Sequence, residues 1–175
     1  MSHETVIESA VLGDCLQVGV VVKDLDRAMA VLSEALGIGP FRTLDWPPAD
    51  RPDLERCYHG KPGSFTARMA FAHLGSVELE IIQPLQGDRI WADFLRERGE
   101  GIHHLKFNVA ELKPFVERLA EHGIGVSQNG AGLRPGTQWA YADVERQVGF
   151  SIELMNAVSG TGGRTPTIVN GKLEL

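Results

Sequence analysis

The pattern of apolar and polar positions repeats once along the chain. A strand-like apolar segment at 16–25 and another at 103–112 each close on an acidic residue followed by leucine. After each segment, apolar residues recur at helical spacing, which predicts an amphipathic helix ending near Gly37 in the first half and near Gly123 in the second. The repeat therefore predicts two related units, each beginning with a strand and a helix.

The rest of each half predicts three more strands, because short apolar segments alternate with turn residues. These strands are expected at 41–44, 66–73 and 77–82, and at 125–128, 137–142 and 150–155. The predicted fold class is α+β, with two tandem βαβββ modules forming a cupped, mostly antiparallel sheet. The predicted organisation is an N-terminal extension at 1–14, a first module at 15–86, a linker helix at 87–101, a second module at 102–157 and a flexible tail at 158–175.

One segment does not fit the repeat. Residues 46–63 are polar and rich in proline, and their length is typical of a lid or a binding loop. Arg51, Arg56 and Lys61 in this segment either contact an anionic substrate or belong to a solvated loop.

The composition narrows the range of partners. The chain has 175 residues, 43% of them hydrophobic and 23% charged, with a formal net charge of −6 at pH 7. Positive charge is not concentrated and no apolar run could span a bilayer, so we expect neither nucleic acid nor membrane as a partner. The N-terminus lacks the features of a signal peptide, and two isolated cysteines do not make a disulfide framework. We expect a cytoplasmic protein.

The repeat places four polar residues at related positions. Side chains alternate along a strand, so Gln17 in the first strand and His104 in its counterpart both point away from the helix of their module. Glu80 and Glu153 are likewise equivalent, each within an otherwise apolar fourth strand. His103 has the opposite parity to His104 and is predicted to face outward against the linker.

These four residues predict a metal site. A carboxylate in an apolar strand is costly to bury unless it is paired or bound to a cation. One nitrogen and three oxygen ligands suit a divalent ion such as Zn, Co, Ni or Mn, with positions left open for water or substrate. The alternative is that Gln17 and His104 are satisfied by neighbouring groups and that the glutamates face solvent on edge strands.

Three further residues are candidates for substrate binding. Lys106 lies two residues beyond His104 on the same face and either meets a substrate carboxylate or thioester oxygen or pairs with an acid. Trp139 and Tyr141 alternate with alanines and either line a substrate pocket or simply pack in the sheet.

The residues just described carry a resemblance to the vicinal-oxygen-chelate superfamily of glyoxalase, bleomycin-resistance and extradiol dioxygenase proteins. The chain is most similar to methylmalonyl-CoA epimerases within it, over about residues 16–155. The most specific match is Phe-Leu-Arg-Glu-Arg-Gly-Glu-Gly-Ile-His-His-Leu at 94–105, with further matches at 20–26 and 77–84. The resemblance implies two βαβββ modules, a homodimer, and a metal held by Gln17, Glu80, His104 and Glu153.

The chain also departs from its relatives. Epimerases usually have histidine where this chain has Gln17, whereas eukaryotic glyoxalase I shares the Gln/Glu/His/Glu set. Val21 and Pro84 stand where glyoxalase I has the arginine and asparagine that bind glutathione, so glutathione is not an expected partner. A single histidine in the set does not match the iron site of extradiol dioxygenases.

The resemblance implies a divalent-metal-dependent isomerase or epimerase acting on a small molecule. It would move a proton next to a carbonyl through a metal-stabilised enolate, with an acyl-CoA thioester as one substrate class. Glu153 is the expected base and Glu80 its catalytic partner on the opposite face. The alternatives are a metal-dependent lyase, hydrolase or dioxygenase of the same superfamily, or a non-enzymatic small-molecule-binding protein.

Overall fold

The computed structural model of the protein describes residues 12–156, 167–169 and 172–174. The predicted extension at 1–14 and tail at 158–175 therefore lie mainly outside the described residues. Of the predicted tail, a pair of short antiparallel strands is described, β11 (Thr167–Val169) and β12 (Lys172–Glu174).

The rest of the described chain forms ten strands and four helices. In chain order they are β1 (Cys15–Val21), α1 (Leu25–Leu36), β2 (Arg42–Trp46), β3 (Arg56–Tyr58), β4 (Lys61–Pro62), β5 (Ala67–Leu74), β6 (Val77–Pro84), α2 (Ile90–Glu97), β7 (Gly101–Val109), α3 (Leu112–Glu121), β8 (Val126–Ala131), β9 (Gln138–Ala142), α4 (Glu145–Val148) and β10 (Ser151–Asn156).

The ten strands form one curled mixed sheet in the order β2-β5-β6-β1-β7-β10-β9-β8-β3-β4. Only β1 with β6 and β7 with β10 run parallel among these neighbours, and the others are antiparallel. Two βαβββ units therefore meet along β1 and β7. This architecture confirms the predicted fold class.

The pairing register follows the sequence repeat. Gly19 on β1 lies opposite Glu80 on β6, and Lys106 on β7 lies opposite Glu153 on β10 in the same relation. Gln17 and His104, the predicted ligands on β1 and β7, each lie two positions earlier and are therefore equivalent by the same register. The structure thus confirms that the two glutamates occupy related positions.

Helix ends follow the chemistry of their flanking residues. The Asp24 carboxylate accepts a hydrogen bond of 2.9 Å from the Arg27 amide and caps the start of α1. Gly37 ends α1 with a φ of 66°, and Gly123 follows α3 with a φ of 70°. A side chain is disfavoured at such angles, which explains why glycine stands at both ends. No helix among the described residues is both long enough and apolar enough to cross a membrane.

The sheet has two apolar faces with different partners. Val20 and Val22 pack with α1 on one face. Val21, between them, joins a second cluster with Trp91 and Phe94 of the linker helix α2. The side chains of β1 therefore alternate between the two faces as predicted, and α2 covers one side of the concave face.

A β-bulge interrupts the alternation in β7. Gly19 is opposite His104, but Val20 is opposite Ile102, so His103 is an extra residue in β7. The bulge turns two consecutive histidine side chains toward the same side of the sheet. The prediction that His103 faces outward is therefore wrong, although its contact with the linker is confirmed, since its ring centroid lies 5.1 Å from that of Phe94.

The segment 46–63 is not the simple loop that its composition suggested. It contains the hairpin β3–β4, and β3 pairs with β8 of the second unit, with Cys57 opposite Asn129. Leu54 is buried in the concave cluster, and the Tyr58 hydroxyl donates a hydrogen bond to Asp93 of α2. This segment therefore ties the first unit to the far edge of the second.

Candidate functional site

A cavity of about 120 Å³ lies on the concave face of the sheet. Aromatic rings form much of its wall, contributed by Trp46, Phe71, Trp91, Trp139 and Tyr141. Its charged lining residues are Arg42, Glu78, Glu80, Lys106, Arg134 and Glu153. All three residues predicted to bind substrate line this cavity, and so do three of the four predicted metal ligands, Gln17 among them.

Three of the predicted ligands converge at the centre of the sheet. Potential ligand atoms of Glu80, His104 and Glu153 all lie within 4.8 Å of one another. His104 Nε2 is 3.3 Å from Glu80 Oε2 and 3.1 Å from Glu153 Oε2. All three side chains are buried, which excludes the alternative that the glutamates face solvent on edge strands.

Gln17 is held by a neighbour that the sequence analysis did not single out. Its Nε2 donates a 2.7 Å hydrogen bond to Glu78 Oε1, while Arg42 Nη2 donates to Glu78 Oε2 at 2.9 Å. Glu78 shares the parity of Glu80, so strand alternation alone could have indicated it. Because the amide nitrogen is used in this way, the amide oxygen of Gln17 remains available.

The atoms left unsatisfied fit a cation. Gln17 Oε1 is buried and has no hydrogen-bond partner. Glu80 Oε2 and His104 Nε2 are also buried, and the contact between them is an ion-pair distance of 3.3 Å. Buried polar atoms are nearly always satisfied, so such a group of acceptors requires an explanation. Oxygen and imidazole donors of this kind suit a divalent transition metal, and the residues present therefore fit the metal that the superfamily resemblance implies.

The His104 ring occupies space that is open because Gly19 has no side chain. A Cβ atom at Gly19 would lie 1.9 Å from His104 Cε1 and 2.4 Å from Nε2. The imidazole therefore lies directly over the backbone of β1, in space that only glycine leaves open.

His103 contacts His104 at Nδ1, the ring nitrogen that does not face the two carboxylates. Both rings are fully buried, and their Nδ1 atoms are 3.1 Å apart. Burial, together with His104, holds the pKa of His103 well below its usual value of 6.5, so the His103 ring is neutral. A neutral His103 can accept a hydrogen bond from His104 Nδ1–H, so Nε2 is the nitrogen of His104 that is directed at the two carboxylates.

The electrostatics of the cluster distinguish its two carboxylates. Burial raises the pKa of Glu80. Burial acts on Glu153 in the same way, but the charge of Lys106 and the contact with His104 outweigh it, and the pKa of Glu153 is lowered. Burial would lower the pKa of His104, yet its contacts with Glu153 and Glu80 raise it to about 9.

Two predicted binding residues contact or influence Glu153. The Tyr141 hydroxyl donates to Glu153 Oε2 at 3.1 Å, and burial raises the pKa of Tyr141 well above 10. Burial lowers the pKa of Lys106, but Glu153, Glu80 and Glu78 together outweigh that effect and raise it. Tyr141 is therefore a stable hydrogen-bond donor and Lys106 a stable cation at neutral pH.

Three other cavity residues were missed for identifiable reasons. Trp46 and Trp91 come from a strand end and the linker helix, where no repeat marks them. Arg134 lies in the turn between β8 and β9, and no period in the sequence assigns a direction to its side chain.

The sheet consists of paired βαβββ units and carries a buried cluster of two carboxylates and an imidazole on its concave face. This cluster is a candidate metal centre. The chain belongs to the glyoxalase/bleomycin resistance protein/dioxygenase superfamily, whose family model matches residues 16–141.

Solved structures share this fold at low sequence identity. A hypothetical protein from Bacillus halodurans C-125 has a TM-score of 0.62 and 20% identity, with 83% of this chain and 95% of that chain covered. Methylmalonyl-CoA epimerase from Mycobacterium tuberculosis gives 0.61 and 20%, covering 88% and 94%. A Streptomyces coelicolor methylmalonyl-CoA epimerase variant in complex with 2-nitronate-propionyl-CoA gives 0.60 and 18%, covering 85% and 97%.

A curated relative matches a shorter segment. The uncharacterized protein YqjC of Bacillus subtilis (strain 168) is 46% identical over 56 residues, which is 32% of this chain and 40% of that protein. The aligned segment thus spans less than half the length of this relative.

Proposed function

We propose that the protein is a divalent-metal-dependent isomerase or epimerase that moves a proton next to a carbonyl group. One observation carries this proposal. The buried carboxylates of Glu80 and Glu153 lie 3.3 and 3.1 Å from His104 Nε2, beside an aromatic cavity. Two carboxylates at related positions, provided by β6 and β10, suit removal of a proton from one face of a planar intermediate and its return to the other.

Gln17, Glu80, His104 and Glu153 would hold the ion, with Zn, Co, Ni and Mn as candidates. When bound, such an ion stabilises the negative charge that develops on a substrate oxygen as the adjacent carbon loses its proton. Glu78 contributes by fixing the Gln17 amide through its 2.7 Å hydrogen bond.

Glu153 acts as the base in this proposal. Its carboxylate accepts the proton from the carbon next to the carbonyl, while the Tyr141 hydroxyl holds one of its oxygens at 3.1 Å. Glu80 returns a proton to the opposite face of the intermediate. Lys106, Trp139 and Tyr141 bind the substrate, and the aromatic wall excludes water from the reacting carbon.

An acyl-CoA thioester is the first substrate class to test. Proteins of the same fold include a methylmalonyl-CoA epimerase in complex with methylmalonyl-CoA. The proton next to a thioester carbonyl is acidic enough for a metal and a carboxylate base to remove.

Solvent deuterium incorporation tests the reaction. Methylmalonyl-CoA is incubated in D₂O with the metal-loaded protein, and the deuterium content is followed by mass spectrometry. We expect incorporation by the wild type and a loss of about 100-fold or more in Glu153→Gln, since a general base contributes about 10²–10⁴ to rate. The exposed variant Glu117→Gln is the matched control. Full incorporation by Glu153→Gln would contradict the role of Glu153.

The same experiment separates the alternative activities. A hydrolase would release free coenzyme A without deuterated substrate, and a lyase would yield a cleaved product. A protein that only binds small molecules would give neither product nor deuterium. Absence of incorporation with every carbonyl substrate tried, despite a bound metal, would contradict the proposal.

We further propose that the protein forms a homodimer, as the superfamily resemblance implies. The chain has a mass of 19.1 kDa. Sedimentation equilibrium is expected to give twice this mass, and a single-chain mass at all concentrations would contradict the dimer.

A further inference from the structure

The three cations that line the cavity within the described residues differ in their partners. Arg42 forms an ion pair with Glu78 at 2.9 Å. Lys106 lies opposite Glu153 in the pairing of β7 with β10 and forms no ion pair with a described residue. Arg134 has no ion pair and no side-chain hydrogen bond to any described residue.

Arg134 is nevertheless buried. Only 7% of the residue is exposed, and its Nε is a buried donor without a partner. Its backbone is fixed, because the Arg134 carbonyl accepts hydrogen bonds from the Thr137 amide at 3.1 Å and from Thr137 Oγ1 at 2.7 Å. The turn therefore holds a largely buried arginine side chain, whose Nε–H has no partner, at the cavity wall at a cost in free energy.

The charge balance of the cavity points the same way. The formal charges of the three carboxylates and three cations that line it compensate each other. A divalent ion held by the cluster would then leave an excess of positive charge, which an anionic ligand would compensate. Of the two guanidinium groups that line the cavity, Arg42 is paired with Glu78, whereas Arg134 has no ion pair among the described residues, and its planar donors match a carboxylate.

The walls near this charge are aromatic. Trp139 makes edge-to-face contacts with Trp46 and Tyr141, with ring centroids 6.2 and 5.8 Å apart. Leu133 and Met155 line the same cavity. A flat or branched apolar group would fill this space better than a polar one.

We propose that Arg134 binds the carboxylate of a small organic acid whose apolar body lies against Trp46, Trp139 and Tyr141. This inference goes beyond the proposed function by naming the acidic group that Arg134 binds, and it rests on that function only for the reaction that follows binding. A phosphate group of coenzyme A has the same charge chemistry. A compact carboxylate is favoured because Arg134 is a buried residue of a cavity whose walls are largely aromatic.

Binding of defined probes to the metal-free protein tests the proposal. The chain contains three tryptophans, and all of them line the cavity, so their fluorescence reports on its occupancy. We expect 3-phenylpropanoate to bind, and its neutral methyl ester to bind at least about tenfold more weakly because it forms no charge-assisted hydrogen bond. Coenzyme A is expected not to displace 3-phenylpropanoate. Equal binding of the ester, or displacement by coenzyme A, would overturn the assignment of a small carboxylate.

Variants assign the effect to Arg134. Arg134→Gln is expected to weaken 3-phenylpropanoate binding by about tenfold or more, with partial recovery in Arg134→Lys, which keeps the charge but loses the fork of donors. Arg27→Gln removes the same charge from exposed α1 and is expected to bind as the wild type does. Wild-type binding by Arg134→Gln would overturn the proposal.

Thermal unfolding gives a second readout that does not depend on any ligand. Because the buried charge has no partner, Arg134→Gln is expected to unfold at the same temperature as the ligand-free wild type or at a higher one. A lower unfolding temperature would show that Arg134 is already compensated, which contradicts the inference.

The outcomes also separate this inference from the proposed function. If the metal-loaded protein incorporates deuterium but Arg134 variants bind the acid normally, only the inference fails. If Arg134 governs acid binding but no substrate is deuterated, only the proposed function fails.

Discussion

At the scale of single residues, the candidate metal centre depends on how His104 is surrounded. Gly19 leaves room for its ring, and His103 lies 3.1 Å from its Nδ1. Glu80 and Glu153 approach its Nε2. The imidazole thus has one orientation available, in which the nitrogen that faces the carboxylates can bind a cation.

Gly19→Ala tests this packing. The new methyl group would occupy the space of the imidazole, so we expect affinity for Zn or Co to fall by about 10- to 100-fold, as when supporting residues of a metal site are lost. Isothermal titration with the metal measures the change. Gly125→Ala is the control, because a Cβ there meets nothing within 4 Å. Unchanged affinity in Gly19→Ala would contradict the described position of His104.

The pKa of His104 predicts how stability varies with pH in the metal-free protein. The folded value is about 9 and the usual value is 6.5, so between these limits the folded chain holds a proton that the unfolded chain has released. The stabilisation is fully present below pH 6.5 and is lost as pH rises through 9. The free energy of unfolding should therefore fall with rising pH, by up to about 1.4 kcal/mol per pH unit.

Urea unfolding in the presence of a chelator, at several pH values between 6.5 and 9, measures this slope. His104→Gln has no titrating group at this position and should show a flatter dependence. A wild-type stability that rises with pH over this range would contradict the carboxylate contacts of His104.

At the scale of elements, sequence periodicity predicts what repeats and misses what occurs once. The alternation around Gln17, and the equivalent places of Glu80 and Glu153, could be predicted because strand parity and the repeat determine them. The bulge at His103 could not be predicted, because it depends on how β7 pairs with β1 and leaves no mark in the residue types of the strand. The β3–β4 hairpin was missed as well, because its strands are short and its partner β8 is distant in sequence.

A side-chain hydrogen bond joins the hairpin to the linker helix. Tyr58 donates to Asp93, and this bond, after the larger effect of burial, raises the pKa of Tyr58 to about 12. Tyr58→Phe keeps the ring but removes the donor. We expect a loss of about 1 kcal/mol in the local stability of residues 56–62, because the net value of such a hydrogen bond is of this order.

Amide hydrogen exchange locates this effect. Exchange at 56–62 should become faster in Tyr58→Phe, while the amides between β1 and β7 keep their rates. Asp88→Asn, which removes a nearby charge but no hydrogen bond to Tyr58, is the control. Equal exchange at 56–62 in wild type and Tyr58→Phe would show that the contact does not hold the hairpin.

At the scale of the whole molecule, two similar units produce one asymmetric site. The units meet at β1 and β7, so the strands β6 and β10, which carry Glu80 and Glu153, flank the junction. The segment 46–63 then runs from the first unit to the edge of the second. The repeat thus supplies the paired carboxylates, while the unrepeated parts, including α2 and the turn with Arg134, shape the cavity around them.

Elemental analysis tests most directly whether this junction holds a divalent metal. Purified wild-type protein, equilibrated with Zn, Co, Ni or Mn and then desalted, should contain about one ion per chain, as expected for a single site. His104→Ala should retain little or none, while the exposed variant Glu117→Gln should match the wild type. A wild type that binds none of these metals, or a His104→Ala protein that binds as much as the wild type, would contradict the account.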